Sequence, residues 1–228
     1  MTKFLLALIG LSSTLTLSAQ NCYSADILYN QTNNKSINIA ISNYDLEDGN
    51  TFYENAEEAE HKGDFNTALT LFGKAAFEYN VVRNLNRYAQ CVTKMSQMHY
   101  QLGRFIDAEQ ILLNVALKSY SKLSNRVGVM DTYSRLGKVY LAMNKTTQSL
   151  WFYSQQGILA QRLNNNNSYI ESILGIVSVK IKKRDFTLAK RDLNRVEFLA
   201  RSIKSTQYAG QVSDARSLID ARTTALKK

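Results

Sequence analysis

The sequence predicts an all-α solenoid of four helix-turn-helix repeats followed by a C-terminal capping helix. Three observations carry that expectation. One spaced pattern occurs four times, as Gly63-Asp64-Phe65-x-x-Ala68, Gly103-Arg104-Phe105-x-x-Ala108, Asn144-Lys145-Thr146-x-x-Ser149 and Arg184-Asp185-Phe186-x-x-Ala189, with first residues 40, 41 and 40 positions apart. A fixed period of that length marks a stacked repeat, in which each unit buries its apolar face against its neighbours. The 228 residues include no proline, so the strongest helix breaker is missing. Within each unit, apolar and small residues recur at spacings of three and four, which places them on one helix face.

The first segment, residues 1–20, reads as a secretory signal peptide. Lys3 supplies a charge, Phe4 to Leu17 is an apolar run broken only by Gly, Ser and Thr, and Ser18-Ala19-Gln20 offers small residues for cleavage. The run is short for a membrane span; the alternative reading is a retained anchor. Residues 21–50 form a polar leader rich in Asn, Ser and Asp, in which Ile37, Ile39 and Ile41 alternate as an unpaired strand would. Cys22 lies in this leader and Cys91 in the repeats, where a small buried thiol fits, so two free cysteines are expected rather than one disulfide.

The helical signal begins near Thr51, and the solenoid is expected over 51–226, with units at 51–84, 85–124, 125–165 and 166–205 and a cap at 206–226. The first unit carries Phe52, Ala56 and Ala59, then Ala68, Leu71, Phe72 and Ala75. The second carries Val92, Met95, Ser96 and His99, then Ala108, Leu112 and Val115. The third carries Tyr133, Leu136, Gly137 and Tyr140, then Leu150, Tyr153, Gly157 and Ala160. The fourth carries Ile173, Ile176 and Val177, then Ala189, Leu193 and Val196. Ala56, Ser96 and Gly137 recur seven positions before the turn residue, and Ala68, Ala108, Ser149 and Ala189 five after it. Antiparallel helices approach closely only where side-chain volume is small, so these positions mark the crossings, and Phe72, Leu112, Tyr153 and Leu193 fill the space beside them. Thr206 to Leu226 has no partner helix after it and closes the exposed face of the last unit.

Charge is distributed unevenly. Residues 21–80 carry a net −7, residues 81–169 a net +8 and residues 170–228 a net +7, against +9 for the whole chain. Such polarity bears on association rather than on fold, and it admits head-to-tail self-association.

The Gly-Asp-Phe-x-x-Ala turn, the small–large pattern and the stretch Leu136-Gly137-Lys138-Val139-Tyr140-Leu141-Ala142 resemble tetratricopeptide repeats of the long, roughly 40-residue variety. The resemblance covers about residues 51–226. Units three and four depart from it at the turn, with Asn144-Lys145-Thr146 and with Arg184 in place of Gly. It implies a right-handed solenoid whose first helices line a concave groove for a peptide or a protein segment. By position, that groove would be lined by Tyr53, Glu57 and Glu60, by Thr93, Gln97 and Tyr100, by Ser134, Arg135 and Lys138, and by Leu174, Ser178 and Ile181. The Lys/Asn clamp that some members use for a terminal carboxylate is not reproduced.

Little in the chain points to chemistry. His61 and His99 have no Cys or His at metal-ligand spacing, so no metal site and no cofactor is expected. The Glu54, Glu57, Glu58 and Glu60 run reads as a solvated face or a weak cation site. There is no phosphate-cradling glycine loop and no nucleophile elbow, which argues against an enzyme. The basic run from Lys180 to Arg184 is interleaved with acids and lacks stacking aromatics, so no nucleic acid partner is expected. Trp151 and Phe152 fall on the outer side of their helix if Tyr153 faces inward, either as a convex binding patch or as packing under the inter-unit hairpin. The expectation is an exported, non-enzymatic bacterial protein, periplasmic or secreted, that serves as a protein- or peptide-binding adaptor without a membrane span after signal removal. The alternatives are a sensory input module for a membrane kinase or receptor and a self-assembling structural component.

Overall fold

The computed structural model describes residues 46–225. The signal segment, most of the leader with its alternating isoleucines, and Cys22 lie outside the described residues. Among the described residues, nine helices run in sequence: α1 (Leu46–His61), α2 (Phe65–Val81), α3 (Leu85–Gln101), α4 (105–122), α5 (Arg126–Ala142), α6 (Thr146–Arg162), α7 (Asn166–Lys182), α8 (Phe186–Ser202) and α9 (Ala209–Ala225). There is no strand among the described residues. Helix α1 begins at Leu46, ahead of Thr51, where the periodic pattern becomes legible. Each helix packs on its neighbours in sequence, and α5 also packs on α3 and α7. The odd-numbered helices thus form one layer and the even-numbered ones the other.

One turn joins nearly every pair of helices. A single residue takes the left-handed conformation, with φ between 52° and 79°, at Gly63, Arg83, Gly103, Ser124, Asn144, Asn164, Arg184 and Lys204. The next residue returns its N–H to a carbonyl five back, as Asp64 to Ala59, Asn84 to Tyr79 and Asn125 to Tyr120, and the left-handed residue returns its own three back, as Gly63 to Glu60. This is the Schellman arrangement, which satisfies the last carbonyls of one helix. The residue that closes it then caps the next helix: the side chains of Asp64, Asn84, Asn125 and Asn165 accept the N–H of Thr67, Arg87, Gly128 and Ser168. Each such cap is worth about 1 kcal/mol.

Seven of the helices from α2 onward are 17 residues long. Helix α4 is one residue longer. It runs as Phe105–Ile111, a π-helical turn at Leu112–Ala116, and Leu117–Lys122. That extra residue accounts for the 41-residue spacing between Gly103 and Asn144. It also shifts the inward face: Val115, expected inside, is only partly buried, and Ala116 takes its place.

The crossings occur where the small residues predicted them. Ala56, Ala68, Ala108, Ser149 and Ala189 are fully buried, and Ser96 nearly so. Ser149 Oγ donates to the Gly137 carbonyl at 2.7 Å, which ties α6 to α5. Phe72, Leu112, Tyr153 and Leu193 are buried beside them. Phe65, Phe105 and Phe186 are partly buried plugs at the hairpin ends. Cys91 is free and fully buried, and burial pushes its thiol up to about 12. The cap is structural: Tyr208, Val212 and Ile219 join Ile170, Val177, Leu193 and Val196 in one core.

Candidate functional site

The odd-numbered helices carry a polar ladder at one end and a groove at the other. In the ladder, Lys94 on α3 reaches Glu57 at 3.2 Å and Glu60 at 2.8 Å on α1. Gln97 Nε2 donates to Glu60 Oε1 at 2.7 Å, and Arg135 on α5 donates to Gln97 Oε1 at 2.7 Å. Arg135 Nε also donates to Asp131 at 2.7 Å. Three of the four carboxylates in the acidic run of α1 are therefore engaged within the protein: Glu57 and Glu60 hold Lys94, and Glu58 holds Lys62 at 2.6 Å.

The groove has a volume of about 930 Å³ and lies among α5, α7 and α9, with Tyr100 of α3 at its edge. Tyr100, Ser134, Lys138, Leu174, Ser178 and Ile181 border it, six of the twelve positions expected there. Gln97 and Arg135 border a smaller recess of about 210 Å³, which shares Tyr100, Asp131 and Lys138 with the groove. Tyr53, Glu57 and Glu60 border neither. Tyr53 packs edge-on to Phe72 with ring centroids 5.3 Å apart, and Arg87 covers its ring. Thr93 is a correction: it is buried, its hydroxyl donates to the Ala89 carbonyl at 2.8 Å, and it presents nothing to a partner.

Of Trp151 and Phe152, both placed on the outer side of their helix by the sequence, Phe152 is corrected. Phe152 is buried and stacks on Tyr140 at 5.2 Å with nearly parallel rings, so it belongs to the core. Trp151 remains 52% exposed and lies edge-on to Phe152 at 4.6 Å. The basic run is largely occupied: Lys180 pairs with Asp192, Lys182 Nζ donates to the Leu141 carbonyl at 2.8 Å, and Lys183 lies 3.7 Å from Asp185.

Several groove residues escape the sequence pattern. The Tyr153 side chain passes from α6 between α5 and α7 to the groove floor, because Gly137 and Gly175 leave room for its ring. A Cβ at Gly137 would sit 2.7 Å from that ring, and one at Gly175 2.4 Å. Gly137 stands at an expected crossing, whereas Gly175 is required by Tyr153 alone. Asp131 and Glu171 stand at equivalent positions, seven residues past Ser124 and Asn164. Desolvation by the groove walls raises the Glu171 carboxyl above its ordinary value; Lys138 pulls it down and Asp131 pushes it up. Helix α9, expected only as a cap, contributes Asp214, Ala215, Leu218 and Arg222.

These features define an all-α fold of stacked helix-turn-helix repeats. Solved structures share the fold. The apo form of RapI superposes with a TM-score of 0.68 at 10% identity, covering 82% of this chain and 52% of that one. A Rap protein complexed with Competence and Sporulation Factor gives 0.64 at 12% identity, covering 78% and 54%. BtubC (BKLC) from P. vanneervenii gives 0.61 at 15% identity, covering 78% and 85%. The chain spans about half the length of the two Rap structures, and at such identities the likeness is one of fold. No protein-family model matches the chain, and no curated protein does.

Proposed function

We propose that this chain is a non-enzymatic, exported adaptor that holds a protein or peptide against its odd-numbered helices. The groove of about 930 Å³ carries the reading, because it combines an apolar floor with charged walls on helices locked by repeated turns. Solenoids use such surfaces for partners rather than for chemistry. The reading of residues 1–20 as a signal supports export to a bacterial periplasm or beyond. A photocrosslinking amino acid at Ser178, inside the groove, should yield an adduct with a defined partner in the native cell; one at Phe198 on α8, which is 70% exposed, should not. Adducts from Phe198 alone would overturn the groove reading. Amino-terminal sequencing of the mature protein should begin after the apolar run of residues 1–20, and an intact Met1 would remove export.

A second reading is a sensory input module. It is favoured by the Rap structure that holds Competence and Sporulation Factor in the same fold. A ligand-induced change in compactness, measured by small-angle scattering, distinguishes it from an adaptor that captures its partner without changing shape.

A further inference from the structure

We infer that the groove takes a short dipolar peptide: five or six extended residues with a basic group at one end and an acidic group at the other, lying parallel to the odd-numbered helices. The inference rests on the groove being a peptide site and adds the chemistry of its occupant.

Charge within the groove is separated along the helix axes. On α7, Glu171 stands toward the N-terminal end and Lys182 in the last turn, eleven residues on; on α9, Asp214 and Arg222 repeat the order eight residues apart. Eleven residues of helix span ~16 Å, and an extended peptide covers that distance in five or six residues. Odd-numbered helices point the same way, so the two acids share one rim and the two cations the other. The helix dipoles favour this sense, since carboxylates sit best toward N-termini and cations toward C-termini.

Among the described residues, these charges form no ion pair within the protein. Ion pairs elsewhere engage Glu57, Glu58 and Glu60, and Asp131 is held by Arg135. Among the described residues, Glu171 and Asp214 have no cation within ion-pair distance, and Lys138, Lys182 and Arg222 have no carboxylate; Lys182 meets only the Leu141 carbonyl. Between the rims the floor is Tyr153, Leu174, Gly175 and Leu218. An occupant with like charges at both ends would place one of them against its own kind, and an uncharged one would leave both rims unmatched.

Selection of the full chain against an immobilised random hexapeptide library, with both ends blocked, tests this directly. Retained peptides should carry Lys or Arg at one end and Asp or Glu at the other around an apolar middle. By fluorescence anisotropy, the best should bind about tenfold tighter than its analogue with glutamine at both ends. The Glu171→Gln/Asp214→Asn variant should lose the preference for the basic end alone, and Lys182→Gln/Arg222→Gln the preference for the acidic end alone. All four residues are on the surface, and melting curves confirm that the variants fold. Retained peptides without charge polarity, or a polarity unchanged in both variants, would overturn the inference and leave peptide binding intact. Retention of no peptide would overturn both.

Discussion

Six non-glycine residues hold the left-handed conformation at the helix turns: Arg83, Ser124, Asn144, Asn164, Arg184 and Lys204. A side chain in that region costs about 1–2 kcal/mol, from which the greater chain entropy of glycine subtracts part. Arg184 stands where units one and two have Gly63 and Gly103. Arg184→Gly should therefore stabilise the protein by about 0.5–1 kcal/mol with unchanged circular dichroism; a lower melting temperature would show that the arginine side chain does more than tolerate the turn. His99 offers a second test at this scale. Its Nδ1 is buried without a hydrogen-bond partner, 3.6 Å from Asp107. Burial pushes the imidazole below its ordinary value, Asp107 pulls it partly back, and Arg104 lowers it further. The unfolded chain binds this proton near pH 6.5. Stability contributed by neutral His99 is present above that pH and is lost as pH falls toward the depressed folded value. His99→Gln should flatten the slope of urea-unfolding stability as pH falls below about 6.5, and an undiminished slope would assign it to other groups.

At the scale of the element, the helices show what was legible and what was not. The 40-residue period, the turns and Gly137 could be read because each imposes a composition that recurs: a left-handed residue, a capping oxygen, a small side chain at a crossing. The 41-residue step could be counted but not placed, since one extra residue fits a turn as readily as a helix. Structure places it in α4 as a π turn and so exchanges Val115 for Ala116 in the core. Deletion of Asn114, exposed within that turn, should restore a 17-residue α-helix and change stability by less than about 1 kcal/mol. Thermal unfolding with a large loss would mean that the bulge is required by its neighbours. Thr93 and Phe152 were misplaced for a related reason: one residue is a rotation of about 100° on a helix, and that separates groove from core. Gly175 was invisible because only the ring of Tyr153, arriving from another helix, demands it. Gly175→Ala would put a Cβ 2.4 Å from that ring, so it should cost about 1–3 kcal/mol. Tyr153→Leu in the same chain should recover part of that loss, and strict additivity in the double-mutant cycle would refute direct contact.

For the whole molecule, the repeat makes stability a sum of units and of the interfaces between them, so the end of the array matters more than its length suggests. The sequence of helix α9 reads only as a cover. Its position gives it two roles, because Tyr208, Val212 and Ile219 close the last core while Asp214, Leu218 and Arg222 complete one side of the groove. A chain ending at Ser205 leaves Ile170, Val177 and Val196 uncovered. Removing three buried side chains of this size should cost about 5 kcal/mol or more. Because nearest neighbours carry the coupling, that loss should fall on α7 and α8 and spare α1 to α4. Hydrogen exchange followed along the chain should show protection collapsing in the fourth unit and persisting in the first. Uniform loss of protection would mean that the array folds as one cooperative block, and unchanged protection in the fourth unit would deny α9 its place in the core.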